Sequence, residues 1–123
     1  MPRYPGLTLR ILSGDEPAMG PGKARLVTLI DTTGSISAAA REMGMSYRRA
    51  WLLVDALNAS FTEPVVTKAT GGKRGGGAAV TPFGKRIVAA YYRMESKASA
   101  AIDAEIGKFS THLRKPAAKA KLR

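Results

Sequence analysis

Residues 34–60, GSISAAAREMGMSYRRAWLLVDALNAS, read as two short helices joined by a tight turn. Ser35 or Ser37 is placed to cap the first helix, because a serine oxygen accepts the orphan N–H groups of a first turn. Gly44 ends that helix, since glycine adopts the left-handed conformation of a helix stop without steric cost. Ser46 then caps the second helix. Ala39, Ala40, Met43, Ala50, Val54 and Leu57 supply the apolar face the pair would share, and the small alanines suit two helices that cross steeply at close range. This arrangement is a helix-turn-helix, and it points Tyr47, Arg48 and Arg49 outward at the start of the second helix, the end that enters a DNA major groove.

Residues 61–81, FTEPVVTKATGGKRGGGAAVT, continue as a hairpin. Val65 and Val66 on one side and residues 78–80 on the other are the flanking strands, and the five glycines of GGKRGGG permit the positive φ values of a tight tip. Glycine-rich loops also cradle nucleotide phosphates, but this lysine is not followed by Ser or Thr and the glycine spacing of a P-loop is missing. A wing that brings Lys68, Lys73 and Arg74 to DNA, the last two to phosphates or the minor groove, explains the composition better than a simple flexible loop. At the helix start, an arginine fork fits guanine O6 and N7 together, so Arg48 or Arg49 is the expected base reader; helix rotation decides which. Tyr47 is expected on a phosphate oxygen. Trp51, one turn on, has two readings: it seals the gap between the second helix and the wing, or its indole N–H bonds a phosphate. Ser35, Ser37 and Ser46 complete the DNA-facing set.

The pattern GSIS-x-A-A, SY-x2-AW and KATGGKRGGGAAVT, followed by a helix, closely resembles the N-terminal DNA-binding domain of the molybdate-responsive ModE regulators, and more distantly the LysR-type winged helices. The likeness covers about residues 7–110. It implies a winged helix-turn-helix that binds double-stranded DNA as a dimer. Regulators of this family continue into molybdate-binding domains, whereas this sequence stops at Arg123, so the expectation is a reader without its own sensor.

Composition agrees. The chain carries 20 Lys and Arg against 9 Asp and Glu, a net charge of +11 that favours a polyanionic partner. The surplus is focused: residues 64–94 contain no acid but include Lys68, Lys73, Arg74, Lys85, Arg86 and Arg93. A length of 123 residues suits one domain. Cysteine is absent, which excludes a disulfide framework, a thiol nucleophile and a thiolate metal site. The lone His112 has no partner at ligand spacing, and no Ser/His/Asp constellation is suggested, so neither a metal site, a cofactor nor an enzyme is expected. No apolar run reaches the ~18 residues of a membrane span, and a cytoplasmic, nucleoid-associated location is expected. The sequon-like Asn58-Ala59-Ser60 carries no expected role.

Along the rest of the chain, residues 7–12 alternate apolar and polar and read as a strand, the third partner of the wing hairpin. Residues 13–22 read as a loop, with Asp15 and Glu16 as solvated charges. Pro21 opens a first helix that Gly34 stops, with Leu26, Leu29 and Ile30 as its apolar face. Thr81 and Pro82 open a last, long helix. Its stripe of Ile87, Tyr91, Met94, Ala98, Ile102, Ile106, Phe109 and Leu113 recurs at steps of three and four. At about 45 Å it exceeds what a winged-helix core covers. Tyr91, Met94, Ala98, Ile102, Ile106 and Phe109 are therefore the expected contacts of a homodimer, the commonest symmetric assembly, with fold-back onto the first helix as the intramolecular alternative. Residues 114–123, RKPAAKAKLR, read as a disordered basic tail outside a 1–113 domain.

The fold class expected is mostly α with a small β wing, and the function a sequence-specific transcription regulator. The alternative is an architectural DNA-coating protein, and a third reading is an adaptor that recruits a sensor-bearing relative through the long helix.

Overall fold

The structure, a computed structural model, describes residues 6–68 and 77–115. The wing tip with Lys73 and Arg74 lies outside the described residues, as does most of the basic tail. The order of elements is β1 (Ile11–Ser13), β2 (Glu16–Met19), α1 (Pro21–Thr33), α2 (Ile36–Met43), α3 (Tyr47–Ser60), β3 (Val66–Lys68), β4 (Ala78–Val80) and α4 (Pro82–Ser110). Three helices and a long fourth with small antiparallel sheets make a winged helix-turn-helix of the α+β class.

The chemistry of the helix ends is that of the sequence. Pro21 stands at the start of α1, and Gly34, at φ 72°, closes it with an N–H to the Ile30 carbonyl. Ser35, rather than Ser37, caps α2: its side chain accepts from the Ala38 N–H at 3.0 Å. Gly44, at φ 70°, ends α2, and the Ser46 oxygen accepts from the Arg49 N–H at 3.0 Å to start α3. Each cap satisfies backbone groups that a helix end leaves unpaired.

Those ends aim three helices at one core. Leu26, Val27 and Ile30 of α1, Ile36, Ala39 and Ala40 of α2, and Ala50, Val54 and Leu57 of α3 are buried together with Val65, Val66, Ala78 and Val80 of the wing segment. Leu29 and Met43 pack at its edge, half-buried.

The N-terminal region departs from its sequence reading. Only Ile11 and Leu12 of the expected strand lie in a sheet, as the start of β1, which pairs with β2 and not with the wing. Residues 13–22, expected as a loop, contain β2. Ser13 pairs with Glu16 across a two-residue Gly14-Asp15 turn, in which Gly14 takes φ 63°. A Gly-Asp pair is a hairpin turn as well as a loop signal, and a strand of four residues containing a proline shows little periodicity. The wing hairpin has Val66 opposite Val80 and Lys68 opposite Ala78. Its third neighbour is the α1–α2 turn, where Ser35 bridges Gly77 and the Ala78 N–H donates to the Gly34 carbonyl at 3.0 Å.

Two polar side chains fasten the wing. Asn58 near the end of α3 accepts from the Val65 and Val66 N–H groups at 2.8 and 3.1 Å and donates to the Val66 carbonyl at 2.9 Å. Thr81 caps α4 by accepting from the Gly84 N–H, and donates its hydroxyl to the Pro64 carbonyl at 2.7 Å. Beyond the wing α4 runs 29 residues. Its Tyr91 is 1% exposed, and its hydroxyl donates to the Leu9 carbonyl at 2.8 Å. Tyr91 is thus a core residue of the chain, which corrects its placement among interface contacts. Periodicity put it on the stripe; the N-terminal segment that covers it was invisible to periodicity.

Candidate nucleic-acid interface

The site is built on α3. Burial of Ala50, Val54 and Leu57 fixes the rotation of the helix, and with 3.6 residues per turn the line opposite them passes through Arg48, Leu52 and Asp55. Arg48 and Asp55 are exposed, and Leu52 is 56% exposed, a large apolar side chain in water on the outermost face. The acid stands about two turns beyond Arg48, away from the end that leads.

Arg48 and Arg49 therefore diverge. Arg48 stands on the outward line. Arg49, some 100° further round, lies over Leu53 toward α1 and the β1–β2 hairpin, where it shares a cleft with Arg10 and Lys23. The opposite flank faces the wing. There the Trp51 indole N–H donates to the Tyr47 hydroxyl, and the two rings meet edge to face with centroids 6.4 Å apart. The Lys68 ammonium of β3 stands 5.2 Å from the Trp51 ring centroid, within cation–π range. Tyr47, Trp51 and Lys68 thus form one ledge that joins α3 to the wing. Trp51 is half-buried in that gap, with its N–H engaged by Tyr47, the geometry of the sealing role.

The serines divide likewise. Ser35 is half-buried, its side chain engaged as the α2 cap and its backbone N–H donating to the Thr33 hydroxyl; Ser46 is exposed and engaged as the α3 cap, and Ser37 is exposed in the first turn of α2. Tyr47 is 46% exposed. Arg48, Arg49 and Lys68 stand clear in solvent as well. Tyr47 and Lys68 lie on the wing flank of α3, Arg48 on its outward line and Arg49 on the far flank. What the sequence did not single out is Asn58, whose hydrogen bonds tie that helix to the start of the wing; its signal, an amide near a helix end before an extended pair, is too common to stand out. Among the described residues no cluster of three or more His, Asp or Glu could hold a metal ion, and no helix is long and apolar enough to cross a membrane.

A helix-turn-helix whose second helix presents an arginine outward beside a β wing has the form of a winged helix-turn-helix domain. The chain is similar to molybdenum-related proteins of bacteria. MopB of Rhodobacter capsulatus, a molybdenum-pterin-binding protein, is 53% identical over 78 residues, 63% of this chain and 29% of MopB. The molybdenum transport protein ModE of Azotobacter vinelandii is 38% identical over 86 residues, 70% of this chain and 32% of that protein. The DNA-binding transcriptional dual regulator ModE of Escherichia coli K12 is 39% identical over 71 residues, 58% of this chain and 27% of ModE. ModE and the Mop proteins are thus homologues of this chain, which spans about three tenths of the length of these curated relatives. No family model matches it.

Proposed function

We propose that this chain is a transcription regulator that binds double-stranded DNA sequence-specifically, with α3 in the major groove and the wing on the flanking backbone. The observation that carries the reading is the exposed start of α3, where Arg48 stands opposite the buried Ala50-Val54-Leu57 face and Lys68 of the wing stands over Trp51 on the adjoining flank. The names of the relatives, transcriptional regulators among them, support it. Arg48 is the base reader in this proposal, and Leu52 meets the groove floor one turn on, where an apolar side chain suits a thymine methyl. Tyr47, Ser37, Ser46, Arg49 and Lys68 contribute backbone contacts, which position the protein without reading sequence.

A homodimer completes the proposal. Met94 and Phe109 of α4 are 43% and 65% exposed, and a second copy packed on them would set two reader heads on successive grooves.

The experiment is a selection of bound duplexes from a random pool, followed by competition of the selected site against unrelated duplex at physiological salt. The expected preference is about 10³-fold or more. Equal competition by unrelated DNA would instead make the chain an architectural DNA-coating protein.

A further inference from the structure

A cleft on the far flank of α3 from the wing lies where the helix-turn-helix meets the β1–β2 hairpin and the start of α1. It measures about 330 Å³, and Arg10, Lys23 and Arg49 line it together with Gly20 and with apolar side chains such as Leu53. No acidic side chain lines it. Three cations from three separate parts of the chain meet here: Arg10 just before β1, Lys23 in the first turn of α1, Arg49 in the first turn of α3.

Two of the three are placed by contacts. Arg10 lies across Gly20, so that a Cβ at Gly20 would stand 3.4 Å from the Arg10 Cγ and 4.0 Å from its Nε. Lys23 donates its ammonium to the Pro17 carbonyl of β2 at 2.7 Å. Neither Arg10 nor Arg49 has an ion-pair partner among the described residues; the one ion pair there joins Lys85 to Asp31 at 3.7 Å. Cations gathered without counter-charge along one cleft make a positive potential that attracts an anion.

We infer that this cleft is a second phosphate-contact surface, which grips the DNA backbone on the side of α3 opposite the wing. The inference rests on the DNA-binding reading above and adds to it the residues that hold the other strand. An α-helix with its side chains is about 10–12 Å across and the major groove about 12 Å wide, so a helix lying in the groove has a sugar-phosphate strand along each flank. On one flank stand Tyr47, Trp51 and Lys68; on the other stand Arg49 and this cleft. The β1–β2 hairpin thereby acts as a counterpart to the wing, with Arg10 and Lys23 as backbone contacts.

The test compares wild type with Arg10→Gln, Lys23→Gln and the double variant, all exposed or partly exposed positions whose folding is checked by thermal melts. Duplex affinity is measured across salt concentrations, on the selected site and on unrelated DNA. The double variant is expected to bind both DNAs more weakly by a similar factor. Its log–log salt slope should be shallower by about 0.9 for each phosphate that the variant no longer neutralises, with the preference for the selected site retained. A folded double variant with the slope of wild type overturns the inference while leaving the DNA reading intact, whereas a wild type that fails to bind duplex at all overturns both. Calorimetry with inorganic phosphate separates the sources of the anion. Phosphate binding that disappears in the double variant, combined with an unchanged DNA salt slope, would make the cleft a free-oxyanion site and refute the backbone contact.

Discussion

Arg48 and Arg49 are adjacent in the chain but stand on different sides of α3, because about 100° separates neighbouring helical residues and the buried line of Ala50, Val54 and Leu57 fixes the rest. The proposal assigns them different work, and their variants should differ in kind. Arg48→Ala should reduce the preference for the selected site by about 1–3 kcal/mol, the worth of a bidentate base contact, with little change on unrelated duplex. Arg49→Ala should weaken binding to every duplex alike. Competition titrations distinguish the two patterns, and the reverse result would move the base contact to Arg49. Asn58 offers a stability counterpart. Asn58→Ala removes three hydrogen bonds between α3 and the start of β3, a cost on the order of 2–3 kcal/mol. A denaturant titration should show the midpoint fall, and an unchanged midpoint would mean that backbone pairing alone holds the wing.

The wing and α4 are fixed to each other by close approach as much as by hydrogen bonds. Thr81 ties the start of α4 to the chain entering β3, and Gly84, one turn into the helix, is buried against it. A Cβ at Gly84 would overlap the Val65 carbonyl oxygen and press on the Val65 and Val80 side chains at 3.0 Å. Alanine is the better helix former, by roughly 1 kcal/mol, so an exposed position would gain from Gly84→Ala. Here the overlap dominates, and the variant should be destabilised on the order of 1–3 kcal/mol net. Thermal melts check the sign, and a more stable Gly84→Ala variant would show that α4 can move off the wing without cost.

Across the molecule, α4 reaches past the core it helps to cover. Its first part packs through Val88 and Tyr91, and Leu9 of the N-terminal segment meets the Tyr91 hydroxyl. Farther along, a Cβ on Gly6 would come within 3.1 Å of Ile106, so this part of the stripe also has a neighbour from the chain's own start. Ala98, Ile102 and Ile106 are half-buried, while Met94 and Phe109 remain in solvent. The proposed dimer therefore turns on the latter pair. Met94→Asp with Phe109→Asp should yield a folded monomer by sedimentation, with weaker binding to a two-half-site duplex than wild type. A wild type that is monomeric at tens of micromolar would exclude the dimer.

The helix boundaries were legible because each is written in local chemistry: Pro21, Ser46, Thr81 and Pro82 at starts, Gly34 and Gly44 at stops. The helix-turn-helix and the pairing of the wing strands followed from the same short-range rules, as did the outward turn of the Tyr47-Arg48-Arg49 start. Local chemistry does not decide between Ser35 and Ser37 as the α2 cap or between Arg48 and Arg49 as the outward residue, and it misplaces the neighbour of Tyr91. The last two depend on segments far apart in sequence, α3 with the core and Leu9 with Tyr91. Local periodicity says which residues share a face, but only packing says what that face meets. The short β1–β2 hairpin belongs to the same class, since three or four residues per strand leave too few alternations to register as a pattern, and Arg10 and Lys23 come together with Arg49 only once it has folded onto α1 and α3.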